Sequence, residues 1–163
     1  MNKISNTKEK ICAFYASDYH FEMISLPYIE NKLRADKKVF ILTENSLQKT
    51  MKTLIEHINL SENKKENILN LDWNNNDKEK YKDIEEDIKK GEDVVIFIKG
   101  KTKYIEKANK NIEEIDAKKG NLKIIDCYNI EEISDEMDNV VKKYTKILNT
   151  SGEKVLEKQA KSE

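Results

Sequence analysis

The sequence is poor in the residues that build cross-links and phosphate-binding loops. It has 1 Pro, 4 Gly and 2 Cys among 163 residues. The two cysteines, Cys12 and Cys127, cannot form a disulfide framework or a closed zinc site by themselves, and their apolar surroundings indicate buried, reduced thiols. The four glycines stand far apart, so the chain has no glycine-rich loop that could hold a phosphate through backbone N–H groups. ATP hydrolysis is therefore not an expected activity, and we predict no cofactor and no bound metal.

The sequence also lacks an excess of either charge and any long apolar run. Its 30 Lys and Arg residues are balanced by 31 Asp and Glu residues, whereas nucleic-acid binders usually carry a surplus of cations. No apolar run approaches the roughly 18–20 residues of a membrane span. The first ten residues lack the apolar centre of a secretory signal. We therefore expect a cytoplasmic protein that contacts neither nucleic acid nor membrane.

Five short apolar blocks recur along the chain with room for a helix between successive blocks. Runs of this length that are rich in Ile, Val and Phe are typical of central strands in a parallel sheet. The blocks are Ile11–Ala16, Val39–Thr43, Ile68–Asp72, Val94–Ile98 and Leu122–Cys127.

The intervening segments have apolar residues at helical spacing. The predicted helices are Tyr19–Ala35 with Pro27 inside it, a second that begins near Asn45 or Ser46 and continues through Ile58, a third that opens after Asp77 and ends before Gly91, then Lys103–Lys118 and Ile130–Leu148. Alternating strands and helices with right-handed crossovers predict a three-layer α/β/α sandwich with a mainly parallel sheet of about five strands, RecA-like or Rossmann-like. We expect one α/β domain over residues 1–148 and a polar tail over residues 149–163.

In open α/β sheets, ligands bind beyond the carboxyl ends of the strands. Applied to the predicted strands, this rule selects polar and aromatic residues that follow the first three blocks. The predicted ligand-binding residues are Asp18, Tyr19, His20, Glu44, Asp72 and Trp73. The same edge includes Lys99–Thr102 after the fourth block, which we interpret as a strand-to-helix turn, and Cys127 with Tyr128 after the fifth.

Several of these residues have a purely structural explanation as well. Asp18 fits a helix N-cap, and Glu22 lies in the first turns of a helix, where the helix dipole favours a negative charge. Trp73 could form a flat wall of a binding crevice or could cover the core. Asp72 could contact a ligand or could cap the next helix. The sequence leaves these alternatives open.

The first part of the chain resembles the MEDS sensory-domain family, named from methanogens, methylotrophs and a dichloromethane-responsive regulator. The similar pieces are Ile11–Tyr15, Ser25–Ile29 with its Leu-Pro-Tyr element, Lys37–Glu44 and Ile68–Trp73. The resemblance covers about the first 75 residues and implies a RecA-like fold used for sensing. Family members often have His ahead of the first strand, whereas this chain has Lys10.

We therefore predict a non-catalytic regulatory or sensory domain that binds a small ligand or a regulatory protein partner at the carboxyl edge of the sheet, and an oligomer is compatible with this role. One alternative is a small cytosolic hydrolase or transferase that uses His20 with carboxylates or Cys127. Another is a pure protein–protein interaction module with an exposed apolar patch.

Overall fold

The computed structural model describes residues 8–115 and 121–156, which form a six-stranded sheet covered by helices on both faces. Five strands are parallel and the sixth is antiparallel, in the order β2-β3-β4-β1-β5-β6. The strands are β1 (Lys8–Tyr15), β2 (Lys38–Thr43), β3 (Asp93–Lys99), β4 (Asn121–Asn129), β5 (Lys146–Asn149) and β6 (Gly152–Val155). The predicted three-layer α/β fold with a mainly parallel sheet is confirmed.

In the described part of the chain, seven helices connect these strands. Their bounds are α1 (Asp18–Arg34), α2 (Gln48–His57), α3 (Glu62–Leu69), α4 (Asp77–Lys89), α5 (Thr102–Glu113), α6 (Ile130–Ile133) and α7 (Met137–Val141). α1 begins at the N-cap Ser17, whose hydroxyl accepts from the His20 N–H, so Asp18 is the first helical residue rather than the cap. α1 continues through Pro27 as a single helix. The predicted end of the fourth helix, at residues 116–118, lies outside the described residues.

Each face of the sheet has its own buried cluster. Residues of α1, α2 and α3 pack on one face, for example Phe21, Met51 and Ile68. Residues of α4, α5, α6 and α7 pack on the other, for example Ile84 and Ile105. The central strands are buried on both faces, which is the reason that their sequences are continuously apolar.

The predicted strand at Ile68–Asp72 is wrong. Ser61 caps a helix here by accepting from the Lys64 N–H, and α3 then runs to Leu69. Ile68 is the one buried residue of that helix, and Asn70 ends it. The apolar residues on either side of Asn70 fit the spacing of a helix and that of a strand equally well. The N-cap Ser61 starts a helix upstream, and this helix includes Ile68 and Leu69.

The predicted helix at Ile130–Leu148 is also wrong. It is divided into α6 and α7, and its last part is β5, which pairs with β1 through Ile11↔Lys146 and Cys12↔Ile147. β6 then returns antiparallel to β5 after a turn at Thr150 and Ser151, and its first residue is Gly152, whose φ is +102°. The sheet therefore extends beyond position 149, where we predicted the polar tail to begin. Residues 157–163 of that tail lie outside the described residues.

Candidate functional site

A cleft of about 220 Å³ opens at the carboxyl ends of β1, β2, β3 and β4. β1 and β4 are neighbours, yet α1 leaves β1 toward one face and α6 follows β4 toward the other. A crevice opens where adjacent strands send their connections to opposite faces. The charged side chains that line it are Asp18 after β1, Glu44 after β2, Lys99 and Lys101 around the end of β3, and Glu132 in α6.

Lys99 is the buried cation of this cleft. It is the last residue of β3 and is only 8% exposed. Its Nζ donates to Asp18 Oδ1 at 3.1 Å and lies 4.9 Å from the centre of the Tyr15 ring and 5.4 Å from that of Phe21. A carboxylate and two aromatic faces therefore stabilise the ammonium group where it is largely removed from water.

Two other carboxylates cover the beginning of α5. Glu44 Oε1 accepts from the Lys101 N–H at 2.9 Å, and Glu132 Oε1 accepts from the Thr102 N–H at 3.2 Å. The Thr102 hydroxyl also donates to Glu132. The start of a helix carries unpaired N–H groups and a partial positive charge that attract anions. Here the protein's own carboxylates satisfy those groups.

Gly100 allows Glu44 to come this close to the turn. A Cβ at this position would lie 2.6 Å from Tyr104 Cδ2 and 3.0 Å from Glu44 Oε1. The segment Lys99–Thr102 is thus the predicted strand-to-helix turn, with β3 ending at Lys99 and α5 beginning at Thr102. The turn packs against the Glu44 carboxylate, which accepts from the Lys101 N–H.

Of the six predicted ligand-binding residues, the cleft brings two together, Asp18 and Glu44. Tyr19 lies beside Asp18 at the start of α1 but is 63% exposed and does not line the cleft. His20 serves the start of α1, where its Nδ1 accepts from the Ala16 N–H at 2.9 Å. The predicted set therefore combines residues that line the cleft with residues that belong to the start of α1.

Trp73 does not provide the flat binding wall that the sequence allowed. It is 2% exposed and belongs to the cluster beneath α1, α2 and α3. Its Nε1–H donates to the Ile68 carbonyl oxygen at 2.8 Å, and its own carbonyl oxygen accepts from the Leu47 N–H at 2.8 Å. The core alternative fits these contacts, because such a buried indole offers no surface to a ligand.

Asp72 is likewise engaged outside the cleft. Its Oδ1 accepts from the Asn74 N–H at 3.0 Å and lies 3.9 Å from Lys80 Nζ. Lys80 is buried and donates to the Ile41 carbonyl oxygen of β2 at 2.6 Å and to that of Asn74. Asp72 therefore belongs to the turn that leads into α4 along the edge strand β2.

The sequence reasoning missed Glu132, because that residue lies in the segment predicted as one long helix. It also underestimated Glu22, which is 3% exposed and whose Oε2 has no hydrogen-bond partner within residues 8–115 and 121–156. Burial first, and then the negative charge of Asp18, raise the pKa of Glu22 to about 7 against the opposing effect of Lys99. The apolar residues around it in the sequence, Phe21 and Ile24, are the only local sign of this burial.

We expect the Glu22→Gln variant to be more stable than the wild-type protein at pH 8. The raised pKa means that folding favours the protonated carboxyl, so wild-type stability falls as pH rises from 4.5, the unfolded value, through about 7. Glutamine resembles the neutral form at every pH. Urea unfolding should show equal stabilities near pH 4 and an advantage of about 2–3 kcal/mol for the variant at pH 8.

The exposed Glu86→Gln variant on α4 is the matched control, and its stability difference from wild type should be small at both pH values. A destabilised Glu22→Gln variant at pH 8 would show that the Glu22 carboxylate is stabilised in the folded protein by contacts that the structure does not contain.

The enzyme alternative names His20 with carboxylates or Cys127, and in the structure His20 bonds to the Ala16 N–H and Cys127 to the Ile125 carbonyl oxygen. Cys127 is fully buried, burial raises the pKa of its thiol well above the usual range, and its Sγ donates to the Ile125 carbonyl oxygen. Within residues 8–115 and 121–156, no hydrogen bond joins any two of His20, Asp72 and Cys127. A nucleophile and its base need such a contact.

The other surface features are less specific. A larger groove of about 590 Å³ lies between α4 and α5, in the helical layer and away from the strand ends. The exposed large apolar residues of the described part are Tyr19, Met23, Leu69 and Val155. Nowhere in that part do three or more His, Cys, Asp or Glu side chains form a group that could hold a metal ion. None of its helices has the length and apolar character needed to cross a membrane.

Comparison of the chain with protein-family models, with curated proteins and with solved structures finds no match.

Proposed function

We propose that this protein is a non-catalytic regulatory or sensory domain that binds a small ligand in the cleft at the carboxyl edge of its sheet. The observation that carries the proposal is the convergence of four strand ends on one cleft around the buried Lys99–Asp18 pair. The resemblance of the first 75 residues to MEDS sensory domains supports the same role.

The polar groups of the cleft favour a ligand that donates hydrogen bonds. The N–H groups of Lys101 and Thr102 are already bonded to Glu44 and Glu132, and Lys99 is bonded to Asp18. A phosphate would have to displace these carboxylates and would be repelled by them. An ammonium or amide group instead meets carboxylate oxygens that retain acceptor capacity. A volume of about 220 Å³ suits a molecule with few non-hydrogen atoms.

The binding test uses 1,4-diaminobutane and ethanolamine as cationic probes, and AMP and inorganic phosphate as anionic probes. We expect the amines to shift the backbone amide NMR signals of Glu44 and Lys99–Thr102, and the anions to leave them unchanged. Cleft signals that respond only to AMP or phosphate would contradict the proposed ligand chemistry. Silence with all four probes would count against ligand binding at this edge.

Asp18→Asn should weaken binding of 1,4-diaminobutane at least tenfold. The substitution removes the carboxylate charge, and a hydrogen bond to a charged group contributes about 1.5–3 kcal/mol. Isothermal titration calorimetry measures the change. Asp83→Asn, at an exposed position of α4, is the matched control and should bind like the wild type. Equal weakening by both substitutions would indicate a general charge effect rather than a site.

A further inference from the structure

Glu22 is a buried residue of α1, four residues after Asp18, which lines the cleft. It lies in the second turn of α1, is 3% exposed, and its Oε2 has no hydrogen-bond partner in the described part of the chain. The Ser25 hydroxyl, three residues further along the same helix, is also buried and has no partner among the described residues. Burial of a charged, unpaired carboxylate is costly, so such a group either stays protonated or attracts a cation.

The cation within its electrostatic reach is Lys99. Two charges act on Glu22, namely Asp18 from its own helix and Lys99 from β3. Asp18 precedes Glu22 by four residues, which places both carboxyls on one side of α1. Around the Lys99–Asp18 pair, β1 contributes the Tyr15 ring, the loop after β2 contributes Glu44, and α6 contributes Glu132. The Lys99 ammonium thus pairs with the exposed Asp18 carboxylate, lies 5.4 Å from the ring of Phe21, the neighbour of Glu22 in α1, and attracts the negative charge of Glu22.

We propose that protonation of Glu22 determines which carboxylate Lys99 pairs with, and thereby whether Asp18 is available to a cationic ligand. With Glu22 protonated, Lys99 donates to Asp18, as in the structure. With Glu22 ionised, Lys99 turns toward the buried carboxylate, and Asp18 is left facing the cleft. The ligand part of this inference rests on the proposed function, whereas the exchange of partners does not.

The raised pKa of Glu22, about 7, places the transition within the range of intracellular pH change. Binding of a cationic ligand to Asp18 would in turn favour the ionised state of Glu22, because ligand and proton binding are linked reciprocally. The cleft would thus respond to ligand and pH together.

The partner exchange can be measured without any ligand. In a ¹³C NMR titration from pH 5 to pH 9, we expect the side-chain carboxyl of Glu22 to titrate near pH 7. The carboxyl of Asp18 and the Cε of Lys99 should show a second inflection at the same midpoint. Glu22→Gln should abolish that inflection, and the exposed control Glu86→Gln should retain it. Asp18 and Lys99 signals that are flat through the Glu22 transition would overturn the proposal.

The ligand part is tested by the affinity for 1,4-diaminobutane at pH 5.5 and pH 8.5. We expect at least fivefold tighter binding at the higher pH in the wild type, and a Glu22→Gln variant held at the weaker affinity. Binding that is independent of pH in both proteins would overturn the switch and leave the proposed function intact. A coupled titration without amine binding would overturn the proposed function and leave the exchange of partners intact.

A second variant covers the case in which Glu22→Gln does not fold. The negative charge of Asp18 contributes to the raised pKa of Glu22, so Asp18→Asn should lower the midpoint of the Glu22 titration. An unchanged midpoint in Asp18→Asn would contradict the coupling of the two carboxyls.

Discussion

Replacement of Trp73 by alanine is expected to lower the free energy of unfolding by about 3–5 kcal/mol. The indole is the largest of the fully buried side chains and shares a cluster with Leu47, Met51 and Ile68. Its removal leaves a cavity in a close-packed layer and deprives the Ile68 carbonyl oxygen of the Nε1–H donor. Urea unfolding followed by far-UV circular dichroism measures the loss without relying on tryptophan fluorescence.

Trp73→Phe separates the two contributions. Phenylalanine keeps most of the apolar volume and lacks the N–H group, so we expect a smaller loss of about 1–2 kcal/mol. Both variants should bind 1,4-diaminobutane with wild-type affinity wherever they are folded, since Trp73 does not line the cleft. If Trp73→Ala unfolded with wild-type free energy but bound 1,4-diaminobutane more weakly, Trp73 would belong to the ligand site and not to the core.

Local sequence patterns predicted the parts of the fold that depend on neighbouring residues. The blocks that became β1, β2, β3 and β4 are rich in apolar residues on both faces, a pattern typical of buried parallel strands, and it predicted the edge strand β2 as well as the central strands. β5 was not predictable in this way. It has four residues and exists because the free edge of β1 pairs with it across more than 130 residues of sequence. Its own pattern continued that of a helix.

The predicted positions of the candidate site residues depend on the predicted strands. Asp18 and Glu44 lie at the carboxyl edge of the sheet because the strands predicted before them are present in the structure. Asp72 and Trp73 were assigned to the same edge only because Ile68–Asp72 was taken as a strand, and in the structure they follow a helix. Glu132 could not be found because its position depends on where β4 ends and α6 turns. The rule that ligands bind beyond the carboxyl ends of strands thus selects the right residues only where the strands themselves are predicted correctly.

Asp126→Ala is expected to destabilise the protein by about 3–5 kcal/mol, through a polar network rather than a cavity. Asp126 lies on β4 with 0% exposure. Its carboxylate accepts from Asn109 Nδ2 at 2.9 Å and from the Tyr144 hydroxyl at 2.5 Å, and lies 3.3 Å from Lys10 Nζ. The Tyr128 hydroxyl lies 2.7 Å from that of Tyr144. Loss of the carboxylate would remove the acceptor that two buried donors, Asn109 Nδ2 and the Tyr144 hydroxyl, share.

The groups around Asp126 should contribute unequally. Lys10 is 37% exposed, so water compensates for much of its loss, and Lys10→Met should cost only about 1 kcal/mol. Tyr144→Phe removes a buried donor and should cost more, about 1–3 kcal/mol. A double-mutant cycle of Asp126→Asn and Tyr144→Phe should give a coupling energy above about 0.5 kcal/mol, because the two groups share one hydrogen bond.

The position of Tyr144 predicts which strands lose protection from hydrogen exchange first when Asp126 is replaced. Tyr144 lies two residues before the first residue of β5. β5 pairs with β1 only through Ile11↔Lys146 and Cys12↔Ile147. Release of Tyr144 from Asp126 should therefore loosen β5 and β6 before the rest of the sheet. Hydrogen exchange of Asp126→Asn should show a larger loss of amide protection in β5 and β6 than in β2 and β3. An equal loss in all strands would mean that Asp126 stabilises the domain as a whole and does not specifically anchor its last two strands.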